Sequence, residues 1–288
     1  MDSHRKNILA CIDGSTFSDS VVDHALWMAG RVDAPLKLLH NIEHHDSPAP
    51  TDLSGNLGLD GREELLRELV ELDARRSKLL IEQGKAMLEH ARNRVLSQGG
   101  QDPERLQRHG TLADSLIDME EEIRLLVVGV RGEGHDNQED RVGAQLESII
   151  RAMHRPVLVV NRPFETPPEK VMIAYDGSEA SRKGLDMVTL SPFYQGLECH
   201  LVHVGRDSRP DEAMMEEAAH ILKQGGLNVI SASLRGDVEK ALLDYQAEQG
   251  IGMVVMGAFG HSRIRELLFG SFTNRMIAHS RVPLLLLR

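Results

Sequence analysis

The chain reads as an α/β protein built from two repeated Rossmann-like halves, each a five-stranded, mostly parallel sheet flanked by helices. Three observations predict this. Apolar runs of strand length alternate with longer amphipathic stretches, the pattern of a parallel sheet with helices on both faces. A strand-end Asp-Gly-Ser occurs at 13–15 and again at 176–178. At 288 residues the chain has room for two domains of ordinary size, each with a core.

The second half gives the clearer order of elements. A strand near 170–175 precedes a helix near 179–189, and a strand near 198–204 precedes a helix near 210–224. A strand near 227–234 precedes a helix near 237–248, a strand near 252–256 precedes a helix near 271–279, and a last strand runs near 282–287. The first half repeats this series. Ile8–Ser15 corresponds to Val171–Ser178, Leu36–His40 to Cys199–His203, Leu125–Gly129 to Met253–Gly257, and Arg155–Val160 to Arg281–Leu286. The stretch Pro163 to Pro168 is the evident linker, which sets the domains at 1–162 and 163–288.

The first half carries an insertion. A polar loop from His44 to Gly61 is followed by one long amphipathic helix, Arg62 to Gln98, with Leu65, Leu69, Leu72, Leu79, Met87 and Val95 on roughly one stripe. Packing on the sheet is its ordinary use; a coiled-coil or partner-binding arm is the other. The last strands, Val157 to Val160 and Val282 to Leu287, are both apolar, and an unpaired edge strand invites aggregation. The two halves are therefore expected to pack through these strands.

Composition narrows the function. Lys and Arg total 33 against 44 Asp and Glu, a net charge of −11, which disfavours nucleic acid and anionic membrane surfaces as partners. No apolar run approaches bilayer-spanning length and no signal-like stretch follows the start, so a cytoplasmic protein without membrane insertion is expected. Cys11 and Cys199 fall inside predicted strands, where each serves as a small buried hydrophobe.

The most informative spacing is near the end. Gly257-Ala258-Phe259-Gly260 is followed by nine residues and then Gly270-Ser271-Phe272-Thr273. It lies between the apolar run ending at Met256 and a predicted helix. Helix N-termini present unpaired N–H groups and attract phosphate. Glycine admits a ligand close to the backbone, and the Ser271 and Thr273 hydroxyls can donate to phosphate oxygens. The expectation is a nucleotide-phosphate cradle, with Asp176 converging on it if the first and fourth strands of this half are neighbours.

The strand-end Asp-Gly-Ser, the strand ending in Leu-His or Val-His, and the Gly-x2-Gly-x9-Gly-Ser spacing together resemble the universal stress protein family in its tandem form. The resemblance covers nearly the whole chain. It implies an adenine nucleotide alpha hydrolase-like fold and ATP or AMP as cofactor, with Mg2+ admitted beside it. It places Asp176 by the ribose or adenine, Ala174 and Tyr175 along the base, and Val204 at the adenine through its backbone. By the same resemblance Gly257, Gly260, Gly270, Ser271 and Thr273 would hold the phosphates, with Met256 and Phe272 also among the cofactor-binding residues. The first half departs from the pattern: ten residues separate Gly132 from Gly143, Ala144 and Leu146 replace the serine and threonine, and the stretch 133–140 carries four carboxylates. Lost donors and added like charge oppose an anionic ligand, so that site is expected to be degenerate.

His40, Glu43, His44, His45 and Asp46 cluster after the second strand, yet His40 matches His203 of the repeat, so no metal site is assigned. Arg263 and Arg265 lie between the glycines of the second half, as loop residues or as phosphate neutralisers. No P-loop, dinucleotide fingerprint or catalytic triad order is present, so no catalytic residue is assigned. The resulting expectation is a nucleotide-binding stress-response or signalling protein that acts on an unknown regulated partner by binding. A slow ATPase or nucleotidyl-transfer enzyme, and a scaffold with vestigial sites, are the alternatives. A second copy of the chain is admitted as a further partner.

Overall fold

The computed structural model describes residues 6–43, 59–131, 144–205, 209–258 and 271–288, with the side chains of residues 59–66, 144 and 210 outside the description. In the first half the order is β1 (Asn7–Cys11), α1 (Ser18–Val32), β2 (Leu36–Ile42), α2 (Leu59–Ser97), β3 (Glu104–His109), α3 (Leu112–Met119), β4 (Ile123–Gly129), α4 (Ala144–Ala152) and β5 (Val157–Val160). The second half repeats it with β6 (Lys170–Ala174), α5 (Glu179–Leu190), β7 (Glu198–Val204), α6 (Arg209–Gln224), β8 (Asn228–Leu234), α7 (Val238–Glu248), β9 (Met253–Gly257), α8 (Ser271–His279) and β10 (Leu284–Leu287).

The two sheets expected from sequence are one. Ten strands run in the order β3-β2-β1-β4-β5-β10-β9-β6-β7-β8. Pairing is parallel within each half and antiparallel only at the seam, where Leu284, Leu285 and Leu286 face Val159, Leu158 and Val157. The seam joins the two last strands, as their apolar sequences predict, and removes two open edges. Each half therefore reverses its strand order between its first and fourth strands, β1 beside β4 and β6 beside β9.

Parallel strands covered on both faces must be apolar on both faces, and they are: β1, β5 and β10 are buried at every position. One core cluster lies under α1, α2, α5 and α6 and includes Val21, Leu88, Leu185 and Met215. The other lies under α3, α4, α7 and α8 and includes Leu116, Ile149, Leu242 and Met276. Both clusters run through both halves. Outside the sheet, Trp27 of α1 packs edge-on against Phe193, and Arg31 donates to the Phe193 carbonyl at 2.9 and 2.7 Å. The two cysteines are free and buried, as expected. Burial pushes the Cys199 thiol up to about 12, so it carries no thiolate at neutral pH.

Candidate functional site

Each half ends its first strand in the same three devices. The first is the aspartate turn. Asp176 Oδ1 accepts from the Ser178 backbone at 3.0 Å and from its hydroxyl at 2.6 Å, while Ser178 caps α5 by accepting from the Ser181 backbone. Asp13 Oδ1 likewise accepts from the Ser15 backbone and the Ser18 hydroxyl, both at 3.0 Å. The second device is the glycine that follows. Gly14 and Gly177 have φ of 79° and 71°, the left-handed region that favours glycine. Each also faces a methionine. A Cβ on Gly14 would lie 2.6 Å from Met87 of α2, and one on Gly177 would lie 2.2 Å from Met214 of α6. The third is the strand-end histidine. His40 Nδ1 meets the Ile12 carbonyl and His203 Nδ1 meets the Tyr175 carbonyl, each at 2.9 Å. A carbonyl accepts, so Nδ1 carries the proton in both rings.

These devices hold the carboxyl ends of neighbouring strands in one crevice, at the point where strand order reverses. In the second half, Ala174, Val204, Met256, Ala258 and Phe272 all pack toward the core cluster under α7 and α8. Asp176 is exposed just past β6, Gly257 ends β9, and exposed Ser271 opens α8. Gly260, Gly270, Arg263 and Arg265 lie outside the described residues.

Two expected contacts differ. Tyr175 follows Ala174, so strand alternation turns its side chain to the opposite face. Its ring belongs to the core under α5 and α6, where burial raises its phenol above the usual tyrosine range despite a hydrogen bond from Arg182. Tyr175 therefore meets the crevice through its backbone. Thr273, expected as a phosphate donor, is 1% exposed and donates to the Ala258 carbonyl at 2.8 Å. A threonine hydroxyl has one proton, and here it ties the start of α8 to the end of β9.

The first half holds a feature that the sequence reading missed. Its crevice is a cavity of about 530 Å³ between the ends of β1, β2 and β4 and the start of α4. Arg76, Leu80, Gln83 and Met87 of α2 roof it, and Asp13 and Glu43 stand at its polar side. Glu43 also accepts from the Gln145 side chain and from the Leu112 backbone at 3.4 Å. At the position matching Thr273, Leu146 is buried at the cavity wall. The roof was legible only in hindsight, from the unusual length of the leucine-bearing helix. The acidic stretch 133–140, Gly132, Gly143 and the residues His44, His45 and Asp46 lie outside the description. Among the described residues no cluster of histidine, cysteine and carboxylate side chains could hold a metal ion, and no helix is long and apolar enough to cross a membrane.

Fold and crevices together define a tandem, doubly wound α/β protein with a switch-point crevice in each half. The chain belongs to the universal stress protein family: that family's model matches residues 4–161 and again 168–288. It is 33% identical over 287 residues to the universal stress protein Slr1230 of Synechocystis sp. (strain ATCC 27184 / PCC 6803 / Kazusa), covering 98% of this chain and 100% of that protein. It is 25% identical to the universal stress protein YxiE of Bacillus subtilis, which spans 41% of this chain and is itself covered to 98%. Among solved structures it resembles a universal stress protein from Archaeoglobus fulgidus DSM 4304, with a TM-score of 0.72 and 19% identity over 100% of this chain and 99% of that one. That last likeness shows the fold.

Proposed function

We propose that the second half binds one adenine nucleotide, ATP or AMP, and that the protein acts through this occupancy on a partner rather than by turnover. The observation that carries the reading is the adjacency of β6 and β9. Their parallel pairing brings the Asp176 turn and Gly257 at the end of β9 to one crevice, and the Thr273–Ala258 bond holds the start of α8 beside them. A carboxylate accepts from vicinal ribose hydroxyls, a bare glycine lets phosphate approach the backbone, and the first turn of α8 offers unpaired N–H groups. Ala174 and Val204, both partly buried, supply apolar surface on the side where a base would lie. Ser271 is read as a donor to phosphate, with Mg2+ as an accompanying ion of the nucleotide. Binding without turnover fits the described neighbours of Ser271. On α8 the one histidine, His279, stands at the end of the helix away from Ser271 and is held by Glu239 at 2.5 Å, and an unactivated hydroxyl is a weak nucleophile.

The test is the small molecule released when the purified protein is denatured, followed by titration of the stripped chain. Mass spectrometry should find an adenine nucleotide, and titration should give one site per chain. Gly270→Val should abolish binding and Gly143→Val should leave it unchanged. Two equal sites, or binding indifferent to Gly270→Val, would overturn the reading.

A further inference from the structure

α2 has two environments. From Gly84 onward it packs on the sheet: Leu88, Ala91 and Val95 are buried, and Gly84 lets the helix approach β2 so closely that a Cβ there would lie 2.3 Å from the His40 ring. Before Gly84 the contacts fade, and residues 67–76 are exposed all round. α6, the matching helix of the second half, begins at Arg209, just ahead of Met214, whereas α2 begins at Leu59, far ahead of Met87. The extra turns form an arm on the order of 30 Å long at 1.5 Å per residue.

The arm is not a solvated helix by composition. Leu69, Val70, Leu72 and Leu79 are 36, 68, 59 and 70% exposed. Leu69, Leu72 and Leu79 keep the three-and-seven spacing of a coiled-coil seam. Among the described residues the stretch 67–75 is exposed, and a helical segment packed so little gains little from propensity alone and needs a packed face. Its charges are also sorted. Within residues 67–78, Glu68, Glu71 and Asp73, with one cation, Arg67, precede Arg75, Arg76 and Lys78. The Glu71–Arg75 bridge within the helix joins two side chains more than 70% exposed, so it is weak and free to rearrange.

Sorted charge on a leucine-bearing helix is self-complementary when the partner runs the other way. Parallel pairing would set acid on acid. Antiparallel pairing with Leu69 against Leu72 of the second copy sets Glu68 beside Arg75 of that copy, twice by symmetry. We infer that two copies of this chain associate through their α2 arms as an antiparallel helical pair.

Sedimentation of the full chain tests this. The wild-type protein should form a dimer that dissociates on dilution, and Leu69→Glu with Leu72→Glu should leave a monomer whose helix content and thermal unfolding of the core are kept. Glu68→Arg alone and Arg75→Glu alone should each weaken the dimer by about tenfold or more, and combining them should restore it. Orientation is read by cysteine pairing, since Cys11 and Cys199 are buried. Oxidising L69C mixed with L72C should cross-link better than either variant alone. A wild-type chain that stays monomeric up to roughly 1 mM, a dimer indifferent to the glutamates, or like-with-like cross-linking would each overturn the inference.

Discussion

The helix that follows the second strand separates the two halves more than any other element. Both halves share the aspartate turn, the left-handed glycine against a methionine, and the histidine bonded to the first strand's end. These shared devices build the crevice and are indifferent to what fills it. Besides the exchange of Thr273 for Leu146, the differences lie in the second helix. Where α2 has Gly84 against the His40 ring, α6 has Asp211, whose carboxylate lies 3.9 Å from His203 Nε2. Where α6 has Ile221 packed on the core, α2 has Arg94 reaching Asp23 of α1. Conserving the floor while exchanging the roof is how one repeat can keep the fold and lose or change a ligand.

The strongest way to break the comparison is at Arg94. Its guanidinium grips both oxygens of Asp23 at 2.7 Å, and Gln98 adds a bond at 2.6 Å. Asp23 is 5% exposed, so its charge depends on that partner, while its counterpart Asp186 is exposed. Arg94→Ala should cost about 2–3 kcal/mol in urea unfolding, less than a fully buried pair because Arg94 itself is partly wet. Asp23→Asn in the same chain should recover part of the loss, and Asp186→Ala should change stability by less than about 0.5 kcal/mol. Equal costs of Arg94→Ala and Asp186→Ala would show that the helices are held alike.

The next effect separates two hydroxyls two residues apart. Thr273→Val should cost about 1–3 kcal/mol of stability, because it leaves the Ala258 carbonyl without its buried donor. Ser271→Ala is an exposed change and should leave stability within about 0.5 kcal/mol. On the nucleotide reading it should weaken binding by roughly tenfold, about 1.4 kcal/mol. If Ser271→Ala instead unfolds the protein while Thr273→Val only weakens binding, the two roles are exchanged.

Much of this was legible in the sequence, and for a plain reason. Parallel strands buried on both faces are continuous apolar runs, so the repeat and its succession of elements could be read, and the β5–β10 seam from Val157–Val160 and Leu284–Leu287. The positions of Ala174, Asp176, Gly257 and Ser271 at a strand end or a helix start were legible as such. Tyr175 and Thr273 could not be placed fully. Spacing shows that they lie near the crevice, but which face a ring takes, or where one hydroxyl proton goes, depends on contacts such as Arg182 and the Ala258 carbonyl. Nor did the apolar stripe of α2 tell which turns pack, since Val95 and Leu72 share it and one is buried while the other is exposed.

The smallest expected effect sharpens the comparison at the junction of the halves. His24 on α1 corresponds to Met187 on α5 in the repeat. The imidazole is 3% exposed, its Nδ1 lies 2.7 Å from the Ser20 carbonyl, and its ring stands edge-on to Phe164 at 4.7 Å. Burial is the main cause that lowers its pKa below the ordinary 6.5; the Ser20 carbonyl and Asp23 oppose this, and Arg162 adds to it. The folded state thus resists a proton that the unfolded chain accepts. Stability from this group is full above pH 6.5 and falls as pH drops from there toward the lowered folded value. Carboxylates such as Asp102, held down by Arg92, lose their contribution only at lower pH. His24→Met copies the second half and removes the titration. The fall in Tm between about pH 7.5 and about pH 5.5 should therefore be smaller in this variant than in the wild type. An unchanged fall would place the acid sensitivity of that range elsewhere and leave His24 as packing alone.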